Sequence, residues 1–277
     1  MSDFVQQQGT CCQFIGNDSW VILSAIEQSI KRKIEAVGTP LRDWDINIYR
    51  GVLTGYNEAF IIDTNKRNAI LDKCQTEDER KRTAELIRPI LRGRDIKRYG
   101  YDWANLWLIN THNGVRGRIP RIDINDYPAI KQHLDKYWDK ISSRADKGDT
   151  PYNLRNCAYL DDFSKPKIIY PETTQGAYFA FDDKGIFLDK TCFMLISNEG
   201  EYLQQTLSSK LFEFAYKRIF SSVSLGEHGY QYNKHALVKL PIIKPNKETR
   251  IESSDINRSI YNLYHITPDE ISYIEQS

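Results

Sequence analysis

Asp95-Ile-Lys97 carries the Asp-x-Lys end of a metal-dependent nuclease site, and Glu172 after Pro171 is the carboxylate that would have to join it. Divalent-metal chemistry needs that second placed carboxylate, and a tripeptide of common residues also arises readily by chance. The bland reading of Glu172 is a strand-end carboxylate facing solvent. Other chemistries leave no trace in the sequence. The chain has no Gly-x-Gly-x-x-Gly, no phosphate-cradling Gly-x-x-x-x-Gly-Lys-Ser/Thr and no Gly-x-Ser-x-Gly. The histidines (His112, His133, His228, His235, His265) show no metal-ligand spacing. The cysteines (Cys11, Cys12, Cys74, Cys157, Cys192) are odd in number and never form Cys-x-x-Cys, so neither a zinc knuckle nor a disulfide framework is expected, and no metal site is. What remains is binding chemistry. With 17 Tyr and 5 Trp, several aromatics stand beside cations or amides: Tyr49-Arg50, Lys97-Arg98-Tyr99, Tyr152-Asn-Leu-Arg155 and Tyr230-Gln-Tyr-Asn-Lys234. Such pairs can stack on bases and read their edges, although each alone is equally good half-buried packing.

The charge distribution points the same way. Lys plus Arg total 38 and Asp plus Glu 37, so the net charge of +1 says nothing about partners. Yet residues 80–155 hold 17 basic and 9 acidic side chains, and residues 80–98 hold 8 basic against Glu85 and Asp95. A cationic stretch on a neutral background is the footprint of a polyanion site, or else a solvated helix face with pairs such as Glu77 and Lys81.

The elements that must hold these residues read as a mixture of helices and strands. Ser24-Ala-Ile-Glu27 is a capping box, followed by Ile26, Ile30 and Ile34 and stopped by Gly38 and Pro40, which predicts a helix over 25–37. Asn47 to Val52 and Glu58 to Ile62 read as a β-turn-β unit. A helix is predicted over 128–143 with Ile130, Leu134, Trp138 and Ile141 inward, followed by an exposed loop to Pro151. Strands are predicted at 168–170, 177–181, 186–188 and 191–196, with Asp182-Asp-Lys-Gly185 as a hairpin turn. A long helix over 199–220 buries Leu203, Leu207, Leu211, Phe214 or Ala215, and Ile219; a glycine-bearing aromatic stretch covers 221–233 and a short strand 238–243. The acidic tail ends in two short helices, the second opened by Thr267-Pro-Asp-Glu270. Without regular βαβ alternation, the expected fold class is α+β, with mixed or antiparallel-rich sheets, flanking helices and a small helical C-terminal tail. No run reaches the ~18 apolar residues of a membrane span and no secretory signal is present, so a cytoplasmic protein with no membrane partner is expected.

Several long motifs, in order, resemble one family. They are Trp20-Val-Ile-Leu-Ser24, Gly38-Thr-Pro-Leu-Arg-Asp-Trp-Asp45, Gly51-Val-Leu-Thr-Gly-Tyr-Asn-Glu-Ala-Phe60 and Ile87-Arg-Pro-Ile-Leu-Arg-Gly-Arg-Asp-Ile-Lys-Arg-Tyr99. Asp149-Thr-Pro-Tyr-Asn-Leu-Arg-Asn-Cys157, Lys165-Pro-Lys-Ile-Ile-Tyr-Pro171, Leu207-Ser-Ser-Lys-Leu-Phe-Glu-Phe214 and Tyr230-Gln-Tyr-Asn-Lys234 through Leu240-Pro241 continue the series. Over about residues 20–275 the chain is similar to the TaqI-like specificity domain. That domain stands at the C-terminus of adenine-specific DNA methyltransferases and of fused type IIG restriction-modification enzymes.

The resemblance implies a target recognition domain that reads double-stranded DNA while other domains methylate adenine or cut. The family's catalytic Asn/Asp-Pro-Pro-Tyr/Phe tetrapeptide and its glycine-rich cofactor motif are absent here. The implied chain is therefore not an enzyme by itself. No cofactor is expected in it, while S-adenosylmethionine, and magnesium where the parent cuts, belong to the parent's methyltransferase and nuclease domains. The expected layout is a tail or linker over 1–19, the recognition domain over 20–245 and a helical segment over 246–277. Phosphate contacts are expected from Arg92, Arg94, Lys97, Arg98, Arg116, Arg118, Arg144, Lys147 and Arg155. Base edges are expected to be read by Tyr152, Asn153, Arg155, Lys165, Thr173, Thr174 and Gln175, and by the Arg92-Gly93-Arg94 turn, where Gly93 permits close backbone approach. Each has a plainer role: Arg92 or Arg94 can pair with Asp95 or Glu85, and Gln175 can cap a hairpin. Two rival functions stay open, a protein-interaction module docking on a methylase or nuclease subunit, and a nuclease using Asp95, Lys97 and Glu172.

Overall fold

In the computed structural model, residues 23–221, 224–225, 229–247 and 249–277 are described. The expected tail over 1–19, with Cys11 and Cys12, the start of the Trp20 motif, and His228 in the 221–233 stretch lie outside the described residues. The chain divides into two compact units whose boundaries cut across the expected 20–245 domain: one of Asn47–Glu172 and Ala180–Gly200, the other of Met1–Ile46, Thr173–Phe179 and Glu201–Ser277.

The first unit is built on two four-stranded sheets. One is antiparallel throughout, in the order Ala180–Asp182, Lys167–Pro171, Cys192–Ile196, Asn47–Arg50, with Tyr170 opposite Phe193 and Met194 opposite Tyr49. Its strand Lys167–Pro171 is buried at every position, which explains the unbroken Ile168-Ile169-Tyr170 run, since a strand covered on both faces loses polar alternation. The other sheet is mixed: Phe187–Leu188 runs parallel to Ile87–Leu91, which pairs antiparallel with Leu106–Ile109, and that strand with Ile61–Asp63. Helices Thr64–Leu71, Glu77–Leu86, Pro128–Asp135 and Trp138–Ser143 flank this sheet, with Thr64–Leu71 packing on both Leu106–Ile109 and Pro128–Asp135.

Where the edge strand Ala180–Asp182 ends beside the start of Lys167–Pro171, Lys167 and Asp182 form an ion pair of 2.5 Å with both side chains fully buried. The ammonium also donates to the Phe163 carbonyl at 2.7 Å, and the carboxylate accepts from Tyr101 Oη and the Ile186 backbone N–H. This network corrects the hairpin reading of Asp182-Asp-Lys-Gly185. Gly185 does take a positive φ of 70°, but the strands on either side enter different sheets. The β-turn-β unit is corrected likewise: Asn57–Phe60 is helical, and the strands Asn47–Arg50 and Ile61–Asp63 belong to separate sheets. Gly51, between them, passes so close to the backbone that a Cβ would lie 2.0 Å from the Asp189 carbonyl oxygen.

In the second unit, helix Ala25–Val37 opens with the expected capping box, Ser24 accepting from the Glu27 N–H and Glu27 from the Ser24 N–H. Short strands Thr39–Pro40 and Pro241–Ile242 pair antiparallel, and Thr173–Thr174 joins Gly229–Gln231 and Ser224–Leu225 in a three-stranded sheet. The predicted long helix is interrupted. Gly200–Ser208 stops, Ser209 caps Lys210–Ala215 by accepting from the Phe212 N–H at 3.3 Å, and a π turn covers Tyr216–Phe220. The inward residues Leu203, Leu207, Leu211, Phe214, Ala215 and Ile219 are nevertheless all buried. Helices Ile256–Leu263 and Pro268–Glu275 are integral to this core, with Tyr264 fully buried and edge-on to Phe212 at 5.3 Å. Glu270 accepts from Ser29 Oγ at 2.8 Å and from Lys33 Nζ at 2.7 Å. The fold is thus α+β with antiparallel-rich sheets and flanking helices. Among the described residues, no helix is long and apolar enough to cross a membrane.

Candidate functional site

Most of the expected contact residues lie in two loop systems of the first unit. The larger consists of residues 111–122 and 144–158. Its skeleton is held by side chains that sequence reading had assigned to DNA. Arg144 is buried, not exposed in a solvated loop: its guanidinium donates to the carbonyls of Thr54, Pro151 (3.0 Å) and Asn153 (2.6 Å) and lies 4.2 Å over the Phe60 ring. Burial pulls its pKa down to about 10, so it remains charged at neutral pH. Asn153 is 1% exposed, and its amide donates to the Ile122 carbonyl at 3.0 Å while Thr150 Oγ1 donates to its Oδ1 at 2.6 Å. Backbone bonds complete the fixation, with Leu154 N–H on the Thr111 carbonyl at 2.8 Å and Gly148 N–H on the Asn153 carbonyl at 3.0 Å. Arg144 and Asn153 thus hold the loop backbone together, both buried and each bonded to carbonyls of neighbouring segments.

On this skeleton stand exposed cations. Val115 and Ile119 bridge a tight turn whose Gly114 and Gly117 take φ of 75° and 76°, placing Arg116 and Arg118 at the tip. Arg116 is exposed and makes no ion pair among the described residues. Arg118 pairs with Asp161 at 3.0 Å, Arg121 with Asp149 at 3.1 Å and Arg155 with Asp146 at 2.9 Å, all on exposed side chains. Lys147 donates to the Ser142 carbonyl at 2.6 Å. Tyr152 donates to Asp135 at 2.6 Å and packs against Trp138, ring centroids 5.4 Å apart. Trp138 was expected inside. A break at Lys136 and Tyr137 starts a new helix at Trp138, so its phase no longer follows Leu134, and it is 44% exposed.

The smaller system is the turn Gly93–Asp95 with the hairpin Ile96–Lys97 and Gly100–Tyr101. Arg92 clasps Asp95 with two bonds, Nε to Oδ2 at 3.0 Å and Nη2 to Oδ1 at 2.9 Å. Burial opposes ionisation of Asp95, but the hydrogen bonds from Arg92 and the charges of Arg92 and Arg94 outweigh it and hold the carboxyl below its ordinary value. Gly93 N–H donates to Thr191 Oγ1 at 2.9 Å, and Lys97 Nζ to the Arg94 carbonyl at 2.9 Å. The clasp withdraws Arg92 and leaves Arg94 exposed without an ion pair. Arg98 and Tyr99 form the hairpin tip. Tyr99 is 42% exposed with φ of 68°, where turns normally place glycine or asparagine.

Two expected groups fall elsewhere. Lys165 ends the 160–164 turn, paired with Asp162 at 2.6 Å. Thr173, Thr174 and Gln175 belong to the second unit; Thr174 is buried with its hydroxyl on the Gly176 carbonyl, whereas Thr173 and Gln175 are exposed. Both carboxylates of the nuclease reading are occupied, Asp95 by Arg92 and Glu172 by Arg50. Among the described residues no group of three His, Cys, Asp or Glu side chains gathers to hold a metal. Arg121 and Trp138 were not singled out from the sequence; Arg121 lay inside the counted basic stretch, while nothing marked Trp138 as exposed.

Comparison with known proteins places this geometry. The model of the TaqI-like C-terminal specificity domain matches residues 88–242. Type II methyltransferase M.PaeR7I of Pseudomonas aeruginosa is 20% identical over 274 residues, covering 93% of this chain and 45% of that protein, so the chain spans less than half of this relative. The type IIL restriction-modification enzyme MmeI, solved in complex with DNA, superposes with a TM-score of 0.54 at 15% identity over 86% of this chain and 32% of its own. The type IIG restriction endonuclease BpuSI gives 0.52 at 16% identity, over 91% and 32%. At these identities the two structures establish the shared fold.

Proposed function

The chain belongs to the TaqI-like C-terminal specificity domain family, and from that premise we propose that it binds double-stranded DNA and reads a short sequence in it. The observation that carries this reading is the loop system of residues 111–122 and 144–158, in which exposed Arg116, Arg118, Arg121, Lys147 and Arg155 ride on backbone fixed by buried Arg144 and Asn153. Rigid support for exposed cations is what a register-setting surface needs. The ion pairs of Arg118, Arg121 and Arg155 do not oppose it. Exposed pairs are worth ~0–1 kcal/mol, so a phosphate can displace the carboxylate at little cost. Tyr152, Lys165, Thr173 and Gln175 supply stacking and edge-reading groups, and Arg94, Lys97, Arg98 and Tyr99 a second contact at the hairpin. A positive φ at a tyrosine is strain that packing stability alone does not call for, and it favours a role for the exposed ring.

The chemistry belongs to the parent enzyme: an adenine methyltransferase using S-adenosylmethionine, with magnesium where a nuclease domain is also present, acting in the cytoplasm. The sequence has no glycine-rich cofactor motif to hold S-adenosylmethionine. The rival reading, docking on a protein subunit, draws on the same exposed side chains without needing cations on a rigid frame.

A salt series on the chain with duplexes of varied sequence separates the two. DNA binding is expected to weaken with a log–log slope of about −0.9 per phosphate contacted. Arg116→Gln is expected to weaken all duplexes alike. No binding to any duplex at low salt would favour the docking role.

A further inference from the structure

A second basic site lies apart from both loop systems, in the cleft between helices Thr64–Leu71 and Pro128–Asp135 of the first unit. Lys66, Lys73 and Lys136 line it, over a floor that includes Ala129, the buried His133 and Tyr137. All three lysines are exposed, and none makes an ion pair among the described residues. The carboxylates beside them in sequence are committed elsewhere. Asp63 caps its helix by accepting from the Lys66 backbone N–H at 2.8 Å, Asp72 pairs with Arg80 at 3.1 Å, and Asp135 takes Lys131 at 2.8 Å and Tyr152 Oη at 2.6 Å. No carboxylate lines the cleft among the described residues.

Helix electrostatics explains two of the lysines and not the third. Lys73 and Lys136 stand just past the ends of their helices, where a cation interacts favourably with the macrodipole. Lys66 sits in the first turn of Thr64–Leu71, at the helix end where the macrodipole lends a cation no support and where the Asp63 carboxylate is spent on the cap. The field of the cluster is felt in the cleft floor. His133 is held below its ordinary pKa first by burial and then by the charges of Lys136, Lys66 and Lys73, against a bond to the Ala59 carbonyl. Three like charges thus share one concavity that no carboxylate lines among the described residues, and that is the setting an anion favours.

We infer that this cleft seats a phosphate group held by Lys66, Lys73 and Lys136, and that the phosphate is one of the DNA backbone, outside the segments bound by the reading loops. Only the source of the phosphate rests on the function proposed above; the seat itself rests on the lysines.

The test is the full chain carrying Lys66→Gln, Lys73→Gln and Lys136→Gln together, read in two ways. In duplex binding, affinity should fall roughly tenfold for every sequence, and the salt slope should become shallower by about 0.9, with discrimination between duplexes unchanged. In the second readout, inorganic pyrophosphate is titrated at constant ionic strength while the His133 ring signals are followed by NMR. A saturable shift is expected in the parent chain and none in the triple variant, with thermal stability equal or higher because the repulsion is relieved. If pyrophosphate leaves His133 unmoved in the parent chain, the seat is overturned. If the chain binds duplexes but the triple variant keeps the parent slope, its assignment to DNA is overturned while the reading loops stand. If pyrophosphate binds and no duplex does, the seat stands and the DNA reading falls.

Discussion

The Arg144 guanidinium reaches three carbonyls, and its removal would leave the Thr54 and Pro151 oxygens without this donor while the Asn153 oxygen keeps the Gly148 N–H. An unsatisfied buried acceptor costs ~1–3 kcal/mol. Arg144→Met is therefore expected to lower stability by about 2 kcal/mol or more in urea unfolding, and to weaken duplex binding by loosening the loops that carry the exposed cations. Asp95 makes a pH prediction. Its carboxyl is held below the ordinary 3.8, so it contributes stability above about pH 4 that drains away as pH falls through the lowered folded value. Asp95→Asn should lower stability at neutral pH and flatten the acid limb of the stability curve below about pH 4. At this scale residue type was readable and environment was not. A sequence marks Arg144 and Asn153 as polar loop residues, but their burial depends on carbonyls as far away as Thr54.

At the scale of elements, periodicity fixed which side chains turn inward better than where helices stop. The apolar spacing from Leu203 to Ile219 survives the break at Ser209, because Ser209 restarts a helix whose face still meets the same core. The break at Tyr137 instead rotates Trp138 out, since the new helix resumes in a different phase. Strand partners were less legible than strands: the Asp182 turn looks like a hairpin locally, but its carboxylate is drawn to Lys167 in another strand. The short helical segment after Pro245 was legible from its capping box, but its packing into the core of the second unit was not. Tyr264 is fully buried, its Oη accepting from the Ile243 N–H at 2.8 Å. Tyr264→Ala should then cost about 3–5 kcal/mol in urea unfolding, as for a core aromatic. A loss below ~0.5 kcal/mol would mark a loosely attached helix.

For the whole molecule, the α+β class followed from the irregular mixing of helices and strands, and the family from motifs spread along most of the chain. The near-zero net charge hides how charge is placed, because exposed cations and carboxylates are sorted locally. Arg118, Arg121 and Arg155 carry weak carboxylate partners, Arg94 and Arg116 carry none among the described residues, and the Lys66 cluster lies outside the dense basic stretch of residues 80–98. Pairwise distances, which composition does not contain, decide which cations are available.

The division of the chain into units has a kinetic consequence. Residues 47–172 and 180–200 carry everything the first unit requires, whereas the second gathers its helix Ala25–Val37, the short strand Thr173–Thr174 and the terminal helix Pro268–Glu275 from far-separated stretches. Domains generally fold as units. Here the first unit closes within residues 47–200, whereas Ser29 and Lys33 bond to Glu270 across separations of 241 and 237 residues, and contacts so distant in sequence make the second unit the slower of the two to assemble.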